Sequence, residues 1–362
     1  MKQKTRIIYI KPTNSSFING DQLILEKSFD IKPFNLKQNV NKVVFGLKLI
    51  ELFFYLISNS FRKNIIFVAW FADYYSAVMV LVGKLTNKKT VIFIGGQEAV
   101  SYPELKKGVY RKKFRGECVK YALRNTDLII ANHKSLIYHE NYYYNKETPH
   151  IDGIKHYVSK LNTKIEIIYN GIDSSRIKRD VSITKQENLV LTVGTMNHIG
   201  DFHNKGFDLF IEVAGRNKDI EFVLIGLKPN YLEWVEKNYF VSQIKNLTII
   251  PSFCPQDILN EKYNKAKVFV QASITEGMPN TLSESMLLGC IPVGSNVNGI
   301  PDAIGDTGII VKYRSVIELE DGIKKALKYD TGKLARERVL NMFSIEQRKL
   351  KIIELFSNFT KS

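Results

Sequence analysis

A chain of 362 residues, 44% of them hydrophobic, is long for one hydrophobic core and apolar enough to fold, so two α/β domains of ordinary size are expected. Its three cysteines, Cys118, Cys254 and Cys290, lie far apart with no paired Cys or Cys/His spacing, which argues against a disulfide framework or a zinc site and for a reducing cytoplasm. The formal charge of +16 is uneven: residues 1–170 hold 27 Lys and Arg against 13 Asp and Glu, and residues 171–362 hold 25 against 23.

The N-terminus carries basic residues but only a short apolar run at residues 7–10, which reads as a first strand rather than a signal peptide. Strands are predicted at residues 6–10, 64–70, 90–94, 127–131 and 164–168, with helical segments between them. Short, continuously apolar strands in such alternation imply a parallel sheet covered on both faces. Residues 43–58 read as a helix apolar around most of its circumference, with Lys48, Glu51 and Tyr55 as a narrow polar stripe. Burial against the sheet is the expected role, with membrane contact as the alternative, and the two charges argue against a membrane span.

Eight basic side chains cluster at residues 106–124, with Tyr110 and Phe114 one helical turn apart. At about 1 kcal/mol per basic residue near an acidic leaflet, this segment is expected to dock reversibly on an anionic membrane. A solvated helix face is the plainer alternative. No nucleic-acid motif accompanies the charge, so nucleic acid is not an expected partner.

After Tyr169-Asn-Gly-Ile-Asp173, the polar residues 174–188 read as a linker, and a second alternating series follows. Its strands are predicted at residues 189–193, 220–225, 247–250, 268–272, 291–293 and 308–311, with an amphipathic helix at 343–359. Two doubly wound halves would face each other across a cleft at the carboxyl ends of their strands, where ligands of open α/β sheets bind.

Within this half, Glu276 falls on the loop between a buried strand and a helix whose first turn suits Pro279, and Glu284 follows eight positions later. At ~100° per residue the interval is about 800°, which places Glu284 roughly two turns down the helix. One carboxylate can hydrogen-bond a sugar while the other meets a ribose, and the amides of Gly277 and Met278 at the helix start favour a phosphate. The spacing suggests a sugar-nucleotide site. The alternatives are a helix-capping Glu276 and an ordinary exposed Glu284.

An ordered series of motifs carries a resemblance: Val193-Gly194, Lys205-Gly206, Glu276 to Glu284 with Gly277, Gly289-Cys-Ile-Pro292-Val, and Asn298-Gly-Ile-Pro301-Asp302. Over about residues 165–345 the chain resembles glycosyltransferase family 4, retaining enzymes of the two-domain GT-B fold that use nucleotide diphosphate sugars. In the first half the likeness is thinner, mainly Gly95-Gly96-Gln97-Glu98 and residues 121–131. The resemblance implies an α/β GT-B architecture of two Rossmann-like doubly wound domains facing a central cleft. Residues 1–172 would form an acceptor-binding domain that meets the membrane, 173–343 a donor-binding domain, and 344–362 a helix packing back on the first domain.

By the same resemblance Glu276 binds the donor sugar and Glu284 the ribose, while Lys205 neutralises charge on the departing diphosphate. Gly194, Thr195, Gly277, Met278, Pro279, Asn280 and Thr281 complete the donor site, and Gly20, Gly96 and Glu98 are acceptor contacts, Glu98 facing the cleft. Two departures stand out. The family often has Arg after the first-strand glycine, where this chain has Thr195, and a double glycine where it has the single Gly20. His198 and His203, in the loop before Lys205, are candidates to approach a phosphate or are ordinary loop residues.

The expected function is retaining hexosyl transfer from a nucleotide diphosphate sugar to a lipid-linked saccharide, for capsule, O-antigen or exopolysaccharide. The expected location is the cytoplasmic face of the plasma membrane, peripherally bound, with no metal and no cofactor beyond the donor substrate. A non-catalytic nucleotide-sugar-binding subunit, an epimerase and a phosphorylase are the alternatives.

Overall fold

In the computed structural model, residues 4–36, 41–251 and 254–361 are described. Strands β1 (Arg6–Lys11), β2 (Asp30–Asn35), β3 (Ile65–Trp70), β4 (Lys89–Ile94) and β5 (Leu128–Ala131) precede a short antiparallel hairpin, β6 (His139–Asn141) and β7 (His150–Asp152), and then β8 (Lys164–Ile167). Six of these form an all-parallel sheet in the order β2-β1-β3-β4-β5-β8. Its central strands are continuous apolar runs, and every residue of β3 is buried, because helices cover both faces.

The second sheet contains β9 (Gln186–Val193), β10 (Glu221–Leu227), β11 (Leu247–Pro251), β12 (Ala266–Gln271), β13 (Ile291–Ser295) and β14 (Ile309–Val311), ordered β11-β10-β9-β12-β13-β14 and parallel throughout. Strand order reverses between β1 and β3 in one sheet and between β9 and β12 in the other. Each reversal opens a crevice at the strand carboxyl ends.

Strand β2 is absent from the sequence expectation. Its segment Asp-Ile-Lys-Pro-Phe-Asn lacks a continuous apolar run and holds Pro33, which a central strand rejects for want of an N–H. At the sheet edge β2 pairs only with β1, so Pro33 is tolerated.

The helix Lys42–Ser60 corrects the sequence reading more sharply. Only Leu52, Leu56 and Ser60 are buried, while Val43, Leu47, Ile50 and Phe54 form an exposed stripe along one face. The helix has the length and composition to cross a membrane. Its inner face, though, joins the core of the first sheet through Leu52 and Leu56.

The chain crosses from the first sheet to the second near Ile172 and returns near Ser344. The crossings pair with each other, Ile172 N donating to Phe343 O at 2.7 Å and Ile345 N to Ile172 O at 3.1 Å. The returning helix, Ile345–Lys361, buries Ile352 and Phe356 among Phe29, Trp70 and Phe93 of the first sheet's core. Arg348 anchors it, donating twice to the buried Asp21 carboxylate at 2.6 Å and also to the carbonyls of Ile168 and Tyr169.

Candidate functional site

The strand carboxyl ends of both sheets frame a cavity of about 260 Å³. From the first sheet come Gly96 after β4, Asn132 after β5 and Asn170 after β8; from the second come residues 275–280 after β12. The halves meet closely there. A Cβ on Gly277 would lie 2.6 Å from the Gly95 carbonyl, so only glycine fits at that contact.

Glu276 stands on the loop before the helix Asn280–Leu287. Its amide donates to Asn298 Oδ1 at 2.9 Å, and Gly299 N donates to Gly277 O at 2.9 Å. The Asn298-Gly299 pair thus braces the Glu276 loop from behind. Across from it, Lys205 ends the short helix Ile199–Asn204, and Gly206 turns with φ +70° where a Cβ would sit 2.4 Å from Ala272 O. That close approach brings Lys205 Nζ to 2.5 Å from Glu276 Oε2. Burial pushes the Glu276 carboxyl up, but Lys205 and Lys107 outweigh it and hold it below the usual carboxylate range.

Met278 and Asn280 line the cavity, with Pro279 at the helix entrance. Among the described residues the Gly277 and Met278 amides donate to no protein acceptor. They stand on the loop just before the helix that begins at Asn280, on the side where its dipole favours an anion.

Glu284 lies one turn into this helix, not two, because the helix begins at Asn280 rather than at the loop. It does not line the cavity. It is half-buried beside Tyr263, whose hydroxyl is 3.5 Å from Oε2; burial raises its carboxyl, with Tyr263 and Arg176 pulling the other way. Gly194 flanks the Lys205 stem, and Thr281 Oγ1 contacts Gln271 Oε1 at 3.2 Å; neither reaches the cavity, and Thr195 is exposed outside it. His203 pairs with Asp208 at 2.9 Å and His198 lies near Asp201, both outside the cavity.

Two acceptor expectations need correction. Glu98 does not face the cleft; it is fully buried, accepting hydrogen bonds from Ala72 N at 3.0 Å and Gly96 N at 3.1 Å, and burial raises its carboxyl. It ties the β3 and β4 loops together. Gly20, expected as an acceptor contact, lies inside the helix Ser16–Glu26 and does not line the cavity. Phe17, in that helix's first turn, lines the cleft instead.

Sequence reasoning missed Asn132, Asn170 and Lys107. Asn132 and Asn170 are 5% and 8% exposed, and each has a side-chain oxygen with no partner. Asn170 Nδ2 donates to Asn280 Oδ1 at 3.1 Å, which aims its amide at the helix start. Unpaired buried oxygens are costly unless a ligand supplies donors, and sugar hydroxyls are such donors. The available signal was positional, since both follow predicted strands. Among the described residues no cluster of three or more metal-ligating side chains is present.

Residues 173–340 match the family described as glycosyl transferases group 1. The match covers 168 of the 362 residues, just under half of the chain. The whole chain shares the GT-B architecture, two Rossmann-like sheets about a cleft. A sucrose-phosphate synthase from Thermosynechococcus elongatus superposes with a TM-score of 0.75 at 15% identity, over 99% of this chain and 100% of that one. HepE from Anabaena, solved in complex with UDP-glucose, gives a TM-score of 0.70 at 12% identity, over 98% of this chain and 100% of that one.

A curated relative is the Campylobacter jejuni N-acetylgalactosamine-N,N'-diacetylbacillosaminyl-diphospho-undecaprenol 4-alpha-N-acetylgalactosaminyltransferase. It is 28% identical over 176 residues, 46% of this chain and 45% of that protein. The match spans about half the length of the curated relatives. Lys205, Glu276 and Asn298 all fall within the matched residues, and of these Glu276 lines the cavity.

Proposed function

We propose that the chain is a retaining hexosyltransferase that moves a sugar from a nucleotide diphosphate sugar to a hydroxyl of a lipid-linked saccharide, in the assembly of a surface polysaccharide. One observation carries the reading: Glu276, paired with Lys205, lines one cavity together with Asn132 and Asn170, whose buried side-chain oxygens have no partner. That combination offers cations and amides to a diphosphate and acceptors to sugar hydroxyls. In this reading Glu276 accepts from the donor sugar, Glu284 meets the ribose, and Lys205 with the Gly277 and Met278 amides holds the diphosphate. The acceptor oxygen bonds to the anomeric carbon on the face the diphosphate leaves. The departing oxygen keeps the electron pair of the broken bond and takes the acceptor's proton, so no protein nucleophile is required.

The lipid-linked acceptor is supported by the diphospho-undecaprenol acceptor in the Campylobacter relative's name, and by the first half's surface. Helices Lys42–Ser60, Tyr74–Thr86 and Lys113–Asn125 begin on the loops that follow strand ends, so their first turns lie on the cleft side. Phe45, Tyr74 and Phe114 link these turns at ring distances of 6.2 and 5.9 Å. Phe114, Lys112 and Lys113 are exposed, as is the apolar stripe of Val43, Leu47, Ile50 and Phe54. Exposed apolar side chains together with cations suit the cytoplasmic leaflet of an acidic membrane, which would bring an anchored acceptor to the cleft.

The test is a donor panel with membrane-derived acceptor, read by release of nucleoside diphosphate and by NMR assignment of the product anomer. Release with one donor, retention of the donor's anomeric configuration, and loss of turnover in Glu276→Ala are expected. No release with any common donor would overturn the proposal.

A further inference from the structure

Lys107 belongs by sequence to the basic run of residues 106–124, but the fold turns it inward. Its backbone pairs in both directions with Tyr102, at 3.0 and 3.1 Å, and the next amide, Gly108 N, donates to Gln97 Oε1 at 2.9 Å. These bonds fix the stretch against the β4 loop. Lys106 is exposed, whereas the Lys107 side chain lines the cavity with Glu276, Gly277 and Met278.

Burial and the nearby Lys205 lower the Lys107 ammonium to about 8, against the opposing pull of Glu276, Asp201 and Asp152. Among the described residues it has no carboxylate within 4.0 Å. The carboxylate that lines the cavity with it, Glu276, is already held by Lys205 at 2.5 Å. Two ammonium groups therefore share one carboxylate. The surplus positive charge stands beside the Gly277 and Met278 loop, just before the helix that begins at Asn280.

We propose that Lys107 and Lys205 form a diphosphate-binding site spanning the two halves of the chain, Lys107 supplying from the first half the second cation that Thr195 does not. This rests on the transfer reading and deepens it. When the bond from the anomeric carbon to the diphosphate oxygen breaks, the oxygen keeps the electron pair and both ammonium groups meet the growing charge. A diphosphate so held also ties the two halves together, and its release loosens them.

The experiment is titration calorimetry of wild type, Lys107→Met and Lys107→Arg with UDP, GDP, ADP and TDP, then with the monophosphate of whichever binds. Lys107→Met is expected to weaken the diphosphate by 10- to 100-fold and the monophosphate by less than twofold, and Lys107→Arg to stay within threefold of wild type. Wild-type diphosphate affinity should fall as pH rises through about 8, where Lys107 loses its proton, and the Lys107→Arg profile should be flat from pH 7 to 9. The pH comparison stands even if Lys107→Met fails to fold. Unchanged diphosphate affinity in Lys107→Met, equal losses of mono- and diphosphate, or a flat wild-type profile would overturn the site and leave the transfer reading intact. Absence of diphosphate binding to wild type would overturn both.

Discussion

The exposed stripe of the helix Lys42–Ser60 yields a quantitative expectation. Leu47, Ile50 and Phe54 are 60%, 55% and 64% exposed. Full burial of such a side chain contributes about 1.5–3 kcal/mol, so moving the exposed part into a leaflet contributes roughly 1–2 kcal/mol each. Replacing all three with Asn should cost about 3–5 kcal/mol of membrane partitioning, or two to three orders of magnitude in vesicle affinity. The same substitutions touch little of the core, so chemical denaturation should change by only about 0.5 kcal/mol per site. Flotation with phosphatidylglycerol-containing and pure phosphatidylcholine vesicles, at low and high salt, reads the partitioning. Salt should weaken the contribution of Lys112 and Lys113 but not that of the stripe. The membrane reasoning fails if the triple variant floats like wild type, or if wild type does not distinguish the two lipids.

Glu98→Ala should destabilise the fold by about 2–4 kcal/mol in urea denaturation, because the Ala72 and Gly96 amides lose a buried acceptor. Wild-type stability with a selective loss of acceptor affinity would instead restore a ligand contact. Arg348→Met leaves Asp21 as a buried unpaired carboxylate and should cost about 3–5 kcal/mol; an unchanged denaturation midpoint would refute the anchoring role. Glu276→Gln should cut transfer by about two orders of magnitude, yet tighten free nucleoside diphosphate by about fivefold, since Lys205 loses a competing carboxylate worth about 1 kcal/mol. Equal weakening of diphosphate by Glu276→Gln and Lys205→Met would show that the pair does not compete with the ligand.

The doubly wound architecture was legible because its central strands are continuous apolar runs, which periodicity detects. Strand β2 was not, since an edge strand with one neighbour needs neither an apolar run nor a full set of amides, and Pro33 reads as a breaker. Glu276 and Lys205 were legible as members of ordered motifs, and the structure adds that they touch. Asn132 could not be found in this way, and Asn170, within the Asn-Gly-Ile-Asp segment, was legible only as the approach to a linker. Their chemistry arises from burial without a partner, a property of the folded neighbourhood and not of spacing. Glu98 shows the converse: a carboxylate after two glycines resembles a ligand contact, and only its bonds to Ala72 and Gly96 reveal a loop tie.

The basic run at residues 106–124 reads as one patch in sequence, and the fold divides it. Arg115 turns to Asp73 in a bidentate pair at 2.6 and 2.9 Å, and Lys120 meets Glu117 at 2.8 Å. Lys107 enters the cleft, and Arg124, though exposed, donates to Ser159 O and Oγ at 2.9 Å, which leaves Lys106, Arg111, Lys112 and Lys113 as the other exposed members. A surface charge acts through a screened solvent and contributes only when several act together, whereas one charge in a partly buried cleft acts at close range on a bound anion. The fewer inward residues therefore carry the larger energy per residue. Neutralising Lys112 and Lys113 should affect where the protein resides, and neutralising Lys107 what it binds.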